Sequence, residues 1–205
     1  MIAIIDYGVG NLFSLSSSLK SIGADIVVTG DSQIIKQADK LILPGVGAFR
    51  DARAKLAENG LDKLVISEAK EGKPLLGICL GMQMLFDKSF EYGEYEGLGL
   101  IPGNIRPISD RIPSTLKIPH IGWNALIFPK DKPISPIFKY LSEGDHMYFV
   151  HSFFATDCDE YVTSSTEYGA LLTASAQNGN VYGCQFHPEK SGDKGLSILK
   201  AFCEL

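Results

Sequence analysis

Cys79 stands in a sequence setting that favours a reactive thiol. An apolar run, 75–78, predicts a buried strand that leads into the cysteine, and Gly77 and Gly81 lie two residues before and after it. Such a strand-to-helix elbow pushes a side chain into the open, and the start of the following helix stabilises a thiolate. The same turn would aim the Leu80 N–H at the oxygen of a carbonyl under attack. A buried cysteine in an ordinary turn is the alternative, and the G-x-C-x-G pattern alone leaves both open.

His187 and Glu189 have the types and the spacing of a general base and the group that orients it. A predicted strand delivers the histidine, and Pro188 fixes the backbone that follows. Glu189 can then turn back to one ring nitrogen of His187 and leave the other to accept the Cys79 proton. Taken alone, a His-Pro-Glu sequence is more often a surface turn. Together with the cysteine elbow it predicts a Cys79–His187–Glu189 triad.

The segment 43–49 places two glycines, Gly45 and Gly47, at the end of another predicted strand. Reactive loops gather at that edge of open α/β sheets, and glycines let backbone N–H groups come close to a ligand. We therefore expect the Val46–Gly47 backbone to supply a second oxyanion donor beside Leu80. The segment lacks the glycine-rich patterns of phosphate-binding loops, so a nucleotide site is disfavoured.

The elements that would position these residues alternate between strand and helix. Continuous apolar runs predict buried parallel strands, and leucines and isoleucines at helical spacing predict the helices between them. This pattern favours a mainly parallel sheet covered by helices on both faces. The predicted strands are 2–6, 26–28, 41–43 and 74–78, and the predicted helices are 12–22, a short one from Ser32, 50–71 with a break near Asn59 and Gly60, and one starting at 81–86.

The second half of the chain reads as β-rich. From about Phe90 to Asp157 glycine and proline are frequent, and short alternating stretches favour antiparallel pairing. Segments 170–176 and 181–186 predict a hairpin, and a last helix follows Ser191, whose side chain with that of Asp193 could cap it. Residues 1–205 are expected to form one domain, since no long linker interrupts them.

Composition excludes several classes of protein. The net charge of −5 over 205 residues leaves no basic excess for a general nucleic-acid binder. No apolar stretch approaches the length of a membrane span, and the start of the chain lacks the features of a signal peptide, so we expect a cytoplasmic protein without a membrane role. Four scattered cysteines and four scattered histidines show no metal-ligand spacing, so no metal or cofactor is expected and the other cysteines should be structural.

The three segments around Gly47, Cys79 and His187, in this order, resemble the class I, triad-type glutamine amidotransferases over essentially the whole chain. That resemblance implies a flavodoxin-like α/β fold with an open mixed sheet. Further segments narrow the resemblance to the glutaminase subunits of imidazole glycerol phosphate synthases, which serve histidine biosynthesis. They are Asp6-Tyr7-Gly8-Val9-Gly10-Asn11, Gly122-Trp123-Asn124, Val150-His151-Ser152 and His187-Pro188-Glu189-Lys190-Ser191.

The resemblance implies a role for each matching position. Cys79 would attack the γ-amide of glutamine, His187 would move the proton, and Glu189 would orient His187. A (β/α)₈-barrel synthase subunit would be the partner, in a heterodimer. The implied glutamine-pocket residues are Gly47, Gln83, His151, Ser152 and Phe153, the last standing where many relatives carry Tyr; the implied partner-facing residues are Val9, Asn11, Trp123, Asn124, Tyr148 and Lys190.

Chemistry gives an independent reason for a partner. Ammonia released into neutral water is protonated and loses its nucleophilic lone pair, so it must reach its acceptor through a passage that excludes water. Three alternatives stay open at this point. They are a related amidotransferase subunit serving another acceptor such as a surface sugar, a free-standing γ-glutamyl cysteine hydrolase, and a non-catalytic scaffold. Without the resemblance, Trp123 and Tyr148 would more often be core aromatics than interface anchors.

Overall fold

The computed structural model describes all 205 residues and contains a seven-stranded sheet with helices on both faces. The strand order is β11-β12-β13-β4-β3-β1-β2, and the five strands from β13 to β2 are parallel. The antiparallel β11 and β12 complete one edge, so the predicted open, mixed and mainly parallel sheet is confirmed. The strands are β1 (Ile2–Ile5), β2 (Ile26–Thr29), β3 (Lys40–Gly45), β4 (Leu75–Cys79), β5 (Phe86–Ser89), β6 (Tyr95–Glu96), β7 (Ile101–Pro107), β8 (His120–Ala125), β9 (His146–His151), β10 (Phe153–Thr156), β11 (Val162–Glu167), β12 (Leu171–Asn178) and β13 (Val181–Cys184).

Six α-helices accompany these strands, and none of them combines the length and the apolar content that crossing a membrane would require. The predicted break near Asn59 and Gly60 is present, because Gly60 takes a left-handed conformation between two helices. The helices are α1 (Leu12–Ser21), α2 (Ser32–Gln37), α3 (Phe49–Glu58), α4 (Leu61–Lys70), α5 (Leu80–Met84) and α6 (Gly192–Cys203).

The central strands are apolar throughout because both faces of the sheet are covered. Ile2 and Ile4 pack into one cluster with Leu15 and Phe202 from α1 and α6. Ala3 and Ile5 are fully buried on the other side. The continuous apolar runs seen in the sequence are thus the two alternating faces of buried strands.

Two smaller sheets lie between β4 and β11 in the chain. One has the order β10-β7-β5-β6, and the other is the β8–β9 hairpin. Most of their pairings are antiparallel as predicted, but β5 pairs with β7 in parallel. The helix predicted to start at 81–86 is also shorter than expected, since α5 ends at Met84 and Phe86 already belongs to β5.

The three segments predicted to be reactive meet where the strands of the main sheet reach their carboxyl ends. The strands β3, β4 and β13 are parallel neighbours, and their carboxyl ends lead into Gly47, Cys79 and His187. Side chains that follow the carboxyl ends of neighbouring parallel strands lie close together. The topology therefore brings together residues that are far apart in the sequence.

Candidate active site

Cys79 occupies a strained turn between β4 and α5. Its φ of 55° and ψ of −113° lie in a region that residues with a side chain rarely adopt. The turn needs its glycines, since a Cβ at Gly77 would lie 2.8 Å from Met82 Cα and one at Gly81 would collide with the carbonyl oxygen of Leu43. The backbone thus has the geometry of the predicted nucleophile elbow.

Gln185 gives the Cys79 sulfur a hydrogen-bond donor that the sequence did not predict. The following helix has only five residues, so it offers a small dipole. Instead the buried side chain of Gln185 donates an N–H to Cys79 Sγ at 3.9 Å. Gln185 was missed in the sequence because nothing in its position two residues before His187 distinguishes an amide that faces the site from one in the core.

His187 and Glu189 form a buried pair, so the alternative of a surface turn is wrong. His187 Nδ1 lies 2.8 Å from Glu189 Oε1, and the two side chains are 3% and 4% exposed. A short 3₁₀ helix, Pro188–Lys190, turns the carboxylate back toward the ring. Burial lowers the pKa of His187, but the adjacent Cys79 sulfur and the hydrogen-bonded Glu189 carboxylate outweigh it, and the pKa rises to about 9. At neutral pH the raised pKa favours the protonated ring, held between the Cys79 sulfur and the Glu189 carboxylate.

Ser191 holds the segment between β13 and α6 that carries His187 and does not cap α6. Its hydroxyl donates to the His187 carbonyl at 2.6 Å and accepts the Tyr148 N–H at 3.0 Å. No side chain accepts a hydrogen bond from the first turn of α6, so the predicted capping by Ser191 and Asp193 is wrong. The hydroxyl serves a long-range contact that local sequence does not reveal.

A cavity of about 320 Å³ opens over Cys79. The cavity is lined by Cys79 and His187 and by every residue predicted for the oxyanion site and the glutamine pocket. Glu189 does not line it and lies behind His187. Four further residues were not predicted as pocket residues, although one of them, Val150, belongs to the Val150-His151-Ser152 segment of the family resemblance. The predicted lining residues are Val46, Gly47, Leu80, Gln83, His151, Ser152 and Phe153, and the additional ones are Glu91, Tyr92, Pro119 and Val150.

The Gly45–Gly47 loop lies directly beside the cysteine. Gly45 is opposite Cys79 in the β3–β4 register, and a Cβ there would lie 2.8 Å from the Gly81 nitrogen. Tyr7 donates its hydroxyl to the Pro44 carbonyl at 2.7 Å and so holds the base of the loop. Gly47 has a φ of +91° and free space around its Cα. The loop is thus anchored at Pro44 and unobstructed at Gly47.

Gln83 is buried in the wall of the cavity. Its amide nitrogen donates to the Phe153 carbonyl at 3.2 Å and to Gln185 Oε1 at 3.0 Å. Gln185 in turn reaches Cys79. The pocket wall at Phe153 and the thiol are therefore linked through two buried amides.

The residues implied to face a partner differ in exposure. Trp123 is 53% exposed and meets Tyr148 edge to face with ring centres 5.9 Å apart, so the core alternative is wrong for Trp123. Lys190 is exposed with its Nζ 6.0 Å from the Tyr148 ring. Asn11 caps α1 by accepting the Ser14 N–H, and Val9 and Asn124 are half-buried.

The other cysteines have environments that suppress reactivity. Burial raises the pKa of Cys158 to about 11, with a smaller contribution from Asp159 and Asp157, and burial also raises the pKa of Cys184. Cys203 is half-buried, and burial raises its pKa too. No group of three His, Cys, Asp or Glu side chains has an arrangement that could hold a metal ion.

Known proteins resemble the chain throughout its length. The family model described as glutamine amidotransferase class-I matches residues 3–204. "Imidazole glycerol phosphate synthase subunit HisH" of Bacillus licheniformis is 49% identical, over 98% of this chain and 95% of that protein. The protein of the same name from Oceanobacillus iheyensis is 46% identical, over 100% of this chain and 99% of that protein. A solved structure described as a glutamine amidotransferase has the same fold, with a TM-score of 0.75 at 19% identity over 98% of this chain and 99% of the other.

The strained cysteine elbow, the buried His187–Glu189 pair and the cavity above them agree with these similarities. The chain belongs to the class-I glutamine amidotransferase family and, within it, to the family of the HisH subunits of imidazole glycerol phosphate synthase.

Proposed function

We propose that this chain hydrolyses glutamine to glutamate and ammonia with Cys79, His187 and Glu189. The ammonia then passes to a (β/α)₈-barrel synthase subunit that makes imidazole glycerol phosphate and AICAR in histidine biosynthesis. The observation that carries this proposal is the Cys79 elbow meeting the buried His187–Glu189 pair at the floor of one cavity. The names of the relatives support the pathway. Residues 1–205 would act as one amidotransferase domain in the cytoplasm, without a cofactor.

The arrangement supports a two-step reaction. Cys79 passes its proton to His187, and the thiolate sulfur attacks the γ-carbonyl carbon. The electron pair of the C=O bond moves to oxygen, where N–H groups of Val46, Gly47 and Leu80 would stabilise it. His187 gives a proton to the amide nitrogen, the C–N bond breaks, and ammonia leaves a γ-glutamyl thioester. Water then attacks the thioester while His187 takes its proton, and glutamate and the Cys79 thiolate separate. The raised pKa of His187 fits the first proton donation.

Glu91 is the carboxylate that this pocket offers to the α-ammonium group of glutamine. It lines the cavity and accepts the Phe49 N–H at 2.6 Å, which fixes its position. We expect Glu91→Gln to raise the KM for glutamine about 10- to 100-fold with a smaller change in kcat, because a charged hydrogen bond contributes about 1.5–3 kcal/mol. Initial rates of glutamate formation measure both constants.

The matched control for Glu91 is Glu94→Gln. Glu94 lies three residues further along, is exposed, and pairs with Lys88 at 2.7 Å outside the cavity. Its substitution should leave the KM unchanged. An unchanged KM in Glu91→Gln as well would remove Glu91 from the substrate site.

The partner would dock over the edge that carries the cavity. Four apolar side chains are exposed on segments that reach this edge, and exposed apolar surface gathered in one region is typical of interaction sites. Phe13 and Ile121 were not predicted and extend the surface implied by Trp123. The exposed fractions are 82% for Phe13, 59% for Ile121, 53% for Trp123 and 41% for Val46. A partner covering this edge would also exclude water from the ammonia.

Glutamate release by the purified chain, alone and with the barrel subunit and its ribonucleotide substrate, tests this function. We expect slow turnover alone and strong stimulation by the partner, since the unobstructed Gly47 loop can change conformation when the edge is covered. Vigorous turnover of γ-glutamyl substrates by the chain alone would instead identify a free-standing hydrolase. Stimulation by a different synthase would identify another acceptor.

A further inference from the structure

His120 and His151 lie side by side in the wall of the glutamine pocket. They are opposite one another in the β8–β9 hairpin, with His120 Nδ1 and His151 Nε2 3.0 Å apart. Both are buried, at 0% and 5% exposure, and His151 lines the cavity. None of the steps proposed above uses this pair.

A row of four hydrogen-bonding contacts runs through the two rings. His151 Nδ1 lies 2.8 Å from the Phe153 carbonyl oxygen, and the two rings meet at 3.0 Å. His120 Nε2 lies 2.8 Å from Asn124 Oδ1, and Asn124 Nδ2 lies 2.9 Å from the Glu167 carbonyl oxygen. The row therefore begins and ends at a carbonyl, which can only accept.

The neutral row is one proton short. Along the row each neutral imidazole supplies one N–H, and the Asn124 amide also supplies one, so three donors serve four contacts. Changing the tautomers or flipping the amide moves the unsatisfied contact but does not remove it. One additional proton on the two rings satisfies all four contacts.

The pocket also lacks a cation for its substrate. Glutamine has an α-carboxylate as well as an α-ammonium group, and the cavity offers Glu91 to the ammonium group. Neither lysine nor arginine is among its lining residues, and His187 is committed to Cys79 and Glu189. The His120–His151 pair is the remaining basic group in the cavity wall.

We propose that glutamine binding places one proton on the His120–His151 pair, and that the resulting charge balances the α-carboxylate of glutamine. This inference rests on the proposed function, because it concerns the same pocket. His151 and His120 are then positioning residues that also contribute to substrate specificity. The filled row would hold the Phe153 carbonyl in place, to which Gln83 is also bonded.

The surroundings keep the pair neutral until the substrate arrives. Burial lowers the pKa of His120, and burial lowers that of His151 to about 4. Phe149 and Tyr168 stack on His120, and the Tyr168 hydroxyl donates to the Lys117 carbonyl. The charge of His187 further lowers the pKa of His151, and no acidic side chain acts on either ring. A bound carboxylate would be the first anion next to the pair.

The sign of the pH effect follows from linkage. The proton binds more tightly in the glutamine complex than in the free protein, so glutamine affinity falls as the pH rises. The dissociation constant should increase by up to about tenfold per pH unit between the pKa of the pair in the free protein and its higher pKa in the complex.

Titration calorimetry of glutamine into the Cys79→Ala chain, in complex with the barrel subunit, tests this inference without turnover. Measurements at about pH 6 in two buffers of different ionisation enthalpy give the number of protons taken up. The comparison is with a double variant, Cys79→Ala with His120→Phe, in which the phenyl ring keeps the stacking on Phe149 and Tyr168. We expect the Cys79→Ala chain to take up about one proton more on binding glutamine than this double variant does. His146→Phe, which removes the exposed histidine of the same hairpin, should leave the uptake unchanged.

Two results would overturn the inference. Equal proton uptake with and without His120 would remove the pair from glutamine binding while leaving the proposed hydrolysis intact. Absence of glutamine binding to the complex would remove both. If the His120→Phe chain fails to fold, the Cys79→Ala chain alone provides the test. A glutamine dissociation constant that is the same at about pH 6 and at about pH 8 would exclude a linked proton.

Discussion

Replacement of Cys79 by alanine is expected to lower the rate of glutamine hydrolysis by a factor on the order of 10⁴ to 10⁶. The reason is that the thioester can form only at this sulfur, which lies in the strained elbow at the cavity floor. Binding should persist, because the residues that would hold the substrate are unchanged. Glutamate release measures the rate, and mass spectrometry of the intact chain shows whether a γ-glutamyl adduct forms.

The matched control is Cys203→Ala. Cys203 is a half-buried thiol at the end of α6, and its carbonyl accepts Lys40 Nζ at the start of β3, on the edge of the sheet opposite Cys79. Its loss should leave turnover unchanged. Undiminished turnover in Cys79→Ala, or an adduct on another cysteine, would contradict the assignment of the nucleophile.

Replacement of Trp123 by alanine is expected to weaken binding of the barrel subunit by about 2–4 kcal/mol, or about 30- to 1,000-fold. Exposed tryptophans next to a second aromatic ring are frequent anchors of interfaces, and Trp123 stands beside Tyr148 on the exposed face of the hairpin. The melting temperature of the free chain should change little, since substitutions of exposed side chains usually change the free energy of unfolding by no more than about 0.5 kcal/mol. Surface plasmon resonance gives the affinity.

Tyr140→Ala is the control for Trp123. Tyr140 is also an exposed aromatic, at 46%, but its hydroxyl donates to Glu204 at the far end of α6. It therefore lies on the opposite edge of the sheet, and its loss should not alter the affinity. Equal weakening by both substitutions would indicate a general loss of structure, and no weakening by Trp123→Ala would move the interface elsewhere.

Most strands of the main sheet could be predicted because each is specified by residues within its own short segment. Apolar runs such as Leu41–Leu43 are long enough to specify buried strands, and Gly60 marks the end of a helix. Phe86–Ser89 was not recognised as a strand, since its pairing with β7 and β6 depends on residues that follow later in the chain. Its own residues gave no β signal that could outweigh the preceding helix.

Parts of the candidate site were equally hidden. Gln185 contacts Gln83 across 102 positions of sequence, and Glu91 reaches the first residue of α3 from 42 positions away. Spacing rules describe neighbours in one element and carry no information about such pairs. The proposed triad could be read from the sequence because each of its members stands in a segment with its own local pattern.

The most direct test of the central claim follows the nitrogen itself. Glutamine labelled with ¹⁵N in the side-chain amide would be supplied to the assembled chain and barrel subunit in excess unlabelled ammonium, and the imidazole glycerol phosphate formed would be analysed by mass spectrometry. We predict that the product retains the ¹⁵N label, because ammonia released at Cys79 passes to the partner without mixing with solvent. A product with the isotope ratio of the bulk ammonium would contradict the account.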